Sequence, residues 1–184
     1  ISGVFDNNGN PHICYYNNSL KYAVWTGSSW DIQTVDTEGN GTFSSIKLDD
    51  RGNPHISYFE SIHSTPTQYG LIWNWTYALK YAEWTGSEWA IQTLDSTTEK
   101  DIKKYTTGKY TSLSLDSNGN PHISYQGPCP DADGYNRTLK YAEWTGDSWN
   151  IQTVDSKGEF IENSIAIDGS NCPHICAFYF DQYR

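Results

Sequence analysis

The side chains in this 184-residue chain that could do chemistry recur at fixed intervals. A histidine stands in each copy of a Gly-Asn-Pro-His-Ile-Ser-Tyr run: His12, His55, His122 and, in the degraded copy Asn171 to Cys176, His174. Imidazoles gathered about 2 Å from one ion would make a zinc site. Standing one per repeat on equivalent strands, they are held apart, so each ring is expected to be structural and hydrogen-bonded between repeats. The turn Asp6-Asn7-Asn8-Gly9-Asn10 alternates oxygen ligands as a calcium loop does, and Asp116, Asn118 and Asn120 repeat it. Arg51 and Cys172 interrupt the alternation in the other copies and no bidentate Glu follows. The expected role of these carboxylates is to cap their own turns, with no metal or cofactor held.

Four cysteines, Cys14, Cys129, Cys172 and Cys176, allow three pairings. Cys172 and Cys176 read as one extended strand, which separates them by about 13 Å. A disulfide needs Cα atoms within about 7 Å, so two connectivities remain. The competing reading is free thiols, because Cys14 and Cys176 take the place of Ser57 and Ser124. Six tryptophans are in register, Trp25, Trp84, Trp144, Trp30, Trp89 and Trp149, and such repetition points to packing between repeats. Trp73 and Trp75 fall outside that register, near Tyr69, in the insertion 61–78 of the second repeat, and with Tyr135 they form the candidate ligand or partner contacts.

Four strand-like segments carry these residues, in constant order: a run ending in Asp, the histidine run, an LKYA-x-WTG run and a W-x-IQT-(V/L)-D run. Short β-branched and aromatic runs bounded by Gly, Asn, Asp and Pro are strand signals. The histidines are 43, 67 and 52 residues apart. A unit of about 43 residues with four strands has the size of a β-propeller blade. The expected fold is therefore all-β: four-stranded antiparallel blades at 1–36, 43–95 and 110–155, then a half blade at 163–184, in a single repeat domain. Three and a half blades leave open ends, which predicts association with other copies of the chain through those ends.

The Asp-x-x-Gly turn, with Ser114, Asp116 and Gly119 nearest the pattern, resembles the Asp-box, or BNR, repeats of sialidase-like propellers. That resemblance implies a propeller and raises a glycosidase alternative. Sialidase-like chemistry would require a cluster of arginines and a Tyr–Glu pair. Only Arg51, Arg137 and Arg184 exist, and the strand order puts Arg51 and Arg137 at opposite ends of their blades. Asp131, Asp133 and Glu60 show no acid/base spacing, so no enzyme is expected.

Four N-glycosylation sequons begin at Asn17, Asn40, Asn74 and Asn136. Three precede the LKYA segment and Asn40 lies between blades, so a meander puts all four on one face, opposite the Gly-Asn-Pro turns. The net charge of −10 excludes nucleic acid and anionic membrane surfaces as natural partners. No apolar run spans a bilayer and no signal peptide opens the chain, whose first residue, Ile1, suggests a processed or excised segment. The resulting expectation is an extracellular, non-catalytic glycoprotein, bearing covalent N-glycans, that serves as a structural or interaction module of a surface layer or fibre. The alternative is a carbohydrate-binding lectin.

Overall fold

The computed structural model describes residues 1–38, 40–63, 74–100, 107–128, 137–156 and 159–180. The first sheet is a meander of β1 (Ser2–Phe5), β2 (Pro11–Tyr16), β3 (Leu20–Trp25) and β4 (Trp30–Asp36). The second contains β5 (Thr42–Leu48), β6 (Pro54–His63), β7 (Asn74–Trp84) and β8 (Trp89–Lys100). The third contains β9 (Lys109–Leu115), β10 (Pro121–Pro128), β11 (Arg137–Trp144) and β12 (Trp149–Asp155). A two-stranded sheet of β13 (Glu159–Ile167) and β14 (Pro173–Phe180) follows. Every described strand pair is antiparallel.

The first strands of successive sheets lie beside one another, β1 by β5, β5 by β9 and β9 by β13. The sheets are thus blades of a β-propeller-like array, and the strand alternation of period 2 lets a blade between two others bury both of its faces. On β6, Ile56 and Tyr58 pack back onto the first blade, in a cluster with Cys14, Leu20, Tyr22, Val35 and Ile46. Ser57, between them, points forward and accepts a hydrogen bond from Thr111 of the third blade at 2.8 Å. A second cluster of Leu79, Tyr81, Leu113, Ile123 and Tyr125 fills the next junction.

The turns follow from one carboxylate each. Asp6 Oδ1 accepts from the backbone N–H groups of Asn8 and Asn10, both at 2.8 Å, and Oδ2 accepts from the Asn10 amide. Asp49 and Asp116 repeat the arrangement with Arg51, Asn53, Asn118 and Asn120. Gly9, Gly52 and Gly119 take φ of 81°, 82° and 81° at the turn's last position, where a Cβ would be strained. In the fourth copy Asn171 takes φ of 63° instead.

Five expectations change. The insertion 61–78 is not simply a loop: β6 continues to His63, β7 begins at Asn74 and β8 reaches Lys100, past the expected boundary at 95. Alternating β-formers carry the ladder onward, with Ser61 opposite Tyr77 and His63 opposite Trp75. The last sheet likewise starts at Glu159, ahead of 163. The histidines bond within a blade, not between blades: Nδ1 of His12, His55 and His122 meets the hydroxyl of Tyr22, Tyr81 and Tyr141 on the next strand. Cys172 lies in the turn before β14, because Asp168 caps it there as it would the usual Asn. Cys14, Cys172 and Cys176 are all free thiols, which is the competing reading of the cysteines and not the disulfide one, and Cys129 lies outside the described residues.

Candidate functional site

The candidate site is built from the extended end of the second blade. Because β6 and β7 run past the length of their counterparts, Trp75 lies beyond the ends of β3 and β11, next to the buried Phe59 and Tyr77 and the half-buried Ser61. Trp75 stacks on Tyr77 with ring centroids 6.4 Å apart and planes at 9°, and Phe59 stacks on Tyr77 at 6.1 Å and 14°. Phe43, at the start of β5, meets Phe59 edge-on at 5.9 Å and Tyr110 at 4.8 Å. Phe43 and Tyr110 sit at φ of 51° and 50°, equivalent positions where a bulge turns the side chain out of the blade.

These aromatics wall a cleft of about 300 Å³, closed by Asn40, Thr42, Ser61, Lys109 and Arg137. Its size is at the lower end of small-ligand sites, roughly 300–1,000 Å³. Asn40 braces one side: its Nδ2 donates to Ser61 Oγ at 2.9 Å, and its Oδ1 accepts from the Ser61 N–H at 3.2 Å. Lys109 places its ammonium 5.6 Å from the Phe59 ring centre. Gly41, next to Asn40, is fixed by packing, since a Cβ there would lie 2.7 Å from Leu20 Cβ.

On the opposite face of β6, toward the first blade, lies a buried charge cluster. Lys80 Nζ is 2.8 Å from Glu60 Oε2 and 3.0 Å from Asp36 Oδ2, and the Tyr58 hydroxyl donates to the same Asp36 oxygen at 2.6 Å. Burial pushes the Glu60 carboxyl above its ordinary range, against the pull of Lys80. Burial also acts on Asp36, but Tyr58, the Glu38 N–H and Lys80 outweigh it and hold that carboxyl low. Tyr125, Lys140 and Asp95 repeat the motif at the next junction, with bonds of 2.7 and 2.5 Å. There Gly127 stands in place of Glu60, so the third blade's lysine answers a single carboxylate, and the neighbouring Gln126, equivalent to Phe59, donates to the Phe160 carbonyl at 2.5 Å. The regular spacing of Tyr, Lys and Asp in the sequence could have revealed this brace, which reading strand by strand missed.

Of the expected contact residues, Trp75 is in the cleft, on a strand, while Tyr69, Trp73 and Tyr135 lie outside the described residues. Of the sequon asparagines, Asn17 is exposed on the β2–β3 turn, Asn40 is committed to Ser61, and Asn74 is half-buried; Asn136 lies outside the described residues. Two of the in-register tryptophans bond between blades, Trp89 Nε1 donating to Gln33 at 3.1 Å and Trp149 Nε1 to Gln92 at 3.0 Å, whereas Trp25, Trp84 and Trp144 meet Trp30, Trp89 and Trp149 edge-on within their own blades. Arg51 lines a separate cleft with Asp49 and Asp116 at the other end of the blades from Arg137. No group of three or more metal-ligating side chains occurs among the described residues.

No family model matches the chain, and no curated protein matches it. Among solved structures, a fucose lectin from Kordia zhangzhouensis in complex with methyl-fucoside is similar at a TM-score of 0.47 and 17% identity, over 85% of this chain and 99% of that one. A likeness this distant carries no inference about ligand.

Proposed function

We propose that this propeller-like chain binds carbohydrate, without catalysis, in the cleft walled by Phe43, Phe59, Trp75 and Tyr77. The observation that supports this is the combination of an aromatic wall with amide and hydroxyl groups in one cavity of about 300 Å³. A sugar ring presents an apolar C–H face and a perimeter of hydroxyls, and such a wall and rim complement both. Isothermal titration of the full chain against a panel of neutral and acidic monosaccharides is the test. Binding on the order of millimolar is expected, weakened about tenfold or more by Trp75→Ala. Absence of binding to every sugar, or binding indifferent to Trp75→Ala, would overturn the proposal.

A non-catalytic role is supported by the separation of Arg51 from Arg137 and by the engagement of Glu60 with Lys80. The Asp-box resemblance contributes a turn geometry to this reading and no sialidase chemistry. An extracellular setting with an N-glycan at Asn17 belongs to the same proposal, because that asparagine is exposed on a tight turn. Asn40 is expected to stay bare, since a glycan there would enter the cleft. Peptide mass mapping of protein from its natural source, before and after deglycosylation, checks both sites. An occupied Asn40 or an unmodified Asn17 would refute the assignment.

A further inference from the structure

At the junction of the second and third blades, Tyr81 and Glu83 of β7 and Gln92 of β8 face Pro121, Trp144 and Trp149 across a cavity of about 100 Å³. The first junction carries Tyr22, Gln33, Pro54, Trp84 and Trp89 at the equivalent positions, but Val24 where the second has Glu83. The ring contacts are alike at both. Trp149 meets Tyr81 edge-on at 5.3 Å and Trp144 at 5.7 Å, as Trp89 meets Tyr22 at 5.4 Å and Trp84 at 5.5 Å. Val24 packs against the apolar core of its junction, whereas Glu83 sets a carboxylate beside three aromatic side chains.

Only half of that carboxylate is used within the fold. Oε2 accepts from the Tyr81 hydroxyl at 3.1 Å, and Oε1 has no hydrogen-bond partner among the described residues. In the third blade, Glu143 Oε1 accepts from Asn150 at 2.8 Å; the residue opposite Glu83 is Ala90, so that donor is missing. Nδ1 of His55 lies 3.9 Å from Oε2, but burial disfavours protonation of its ring. The cavity therefore joins aromatic rings to a negative charge, and cations are drawn to ring faces within about 6 Å of the centre. Hydrogen bonding decides which cation. A primary ammonium brings three donors that need partners once it leaves water, and Gln92 Oε1 is already taken by the Trp149 N–H at 3.0 Å. A quaternary ammonium has no donors to satisfy. The cavity is smaller than the roughly 300–1,000 Å³ of sites that enclose a whole ligand, so it suits a head group. We propose that this junction binds a quaternary ammonium head group of the choline type, with Tyr81, Trp144 and Trp149 as aromatic walls and Glu83 as the counter-charge. It shares no lining residue with the aromatic cleft, so the carbohydrate reading neither supports nor weakens it.

The experiment titrates the full chain with choline chloride and follows the tryptophan indole N–H signals by proton–nitrogen correlation NMR. Saturable shifts at Trp144 and Trp149 are expected, with a Kd on the order of millimolar. The carbon isostere of choline, in which an uncharged tert-butyl group replaces trimethylammonium, should bind about tenfold more weakly. Glu83→Val, which reproduces the first junction, should weaken choline by about tenfold. Ala90→Asn, which gives Glu83 the partner that Glu143 has, should weaken it too. Phosphatidylcholine vesicles separate the two sources of the head group: co-sedimentation that free choline competes away assigns it to a lipid surface, and choline binding without co-sedimentation assigns it to a soluble ligand. No saturable shift with choline, or equal affinity for the uncharged isostere, would overturn the proposal. So would unaltered affinity in Glu83→Val, or in Ala90→Asn should Glu83→Val lose the spectral dispersion of the folded chain.

Discussion

Lys80 answers two carboxylates at the first blade junction, Asp36 from the preceding blade and Glu60 from its own neighbouring strand. One ammonium thus balances two buried acids, and Glu60 Oε1 has no hydrogen-bond partner among the described residues. Removing Lys80 strands both charges: Lys80→Met is expected to cost about 3–5 kcal/mol in urea unfolding. Glu60→Gln is expected to act in the opposite direction, because it removes the buried charge and the third blade, with Gly127 at that place, has no second carboxylate beside its lysine. The raised Glu60 carboxyl opposes folding above its folded-state pKa, and that penalty is relieved as pH falls toward the unfolded value of 4.5. Glu60→Gln should therefore stabilise more at pH 7 than at pH 5, and a gain that is independent of pH would contradict the assignment.

At the scale of the element, the unit is the Asp-capped turn with the strand that follows it. His12 and His55 enter the blade on that strand, each with Nδ1 on a tyrosine hydroxyl and Nε2 3.9 Å from the turn aspartate. Burial lowers the pKa of both rings, and Asp6 beside His12, and Glu83 and then Asp49 beside His55, recover only part of the shift. A histidine with a depressed folded-state pKa is neutral when folded and gains its proton on unfolding. Its contribution is present above the unfolded value of 6.5 and is lost as pH falls through the folded value. In a Glu60→Gln background, which removes the opposing carboxyl, the urea midpoint is expected to fall between pH 7 and pH 5.5. His55→Gln should flatten that slope; an unchanged slope in that variant would show that other groups govern the acid limb.

Among the described residues the main contacts between blades join neighbours, and one set of them is written twice. Tyr58, Lys80 and Trp89 reach back to Asp36 and Gln33, and Tyr125, Lys140 and Trp149 reach back to Asp95 and Gln92. In such an array, stability is a sum of blade and junction contributions. Tyr58→Phe and Tyr125→Phe each remove one donor to a carboxylate and are expected to cost about 1–3 kcal/mol. Since they act at different junctions, the double variant should equal the sum within about 0.5 kcal/mol by chemical denaturation. A large departure would mean that the three full blades behave as one indivisible core.

Recurrence in the sequence determined the blades, because four segments repeated in order with Gly, Asn and Pro at their joints can satisfy their backbone only as short antiparallel strands. It also determined that the turn carboxylates and paired tryptophans serve structure, since groups repeated in register are spread around the array and cannot gather on one ligand. The cleft was legible only in part. Trp75 stood out because it broke the register, whereas Phe43, Phe59, Asn40 and Lys109 meet it through distances set by strand overrun, bulges and the joints between blades. The histidine partners were decided by tertiary structure for the same reason. Whether a ring bonds across a sheet or across a junction depends on which face its strand presents, and the burial on both sides of a blade leaves no polar alternation in the sequence to reveal it.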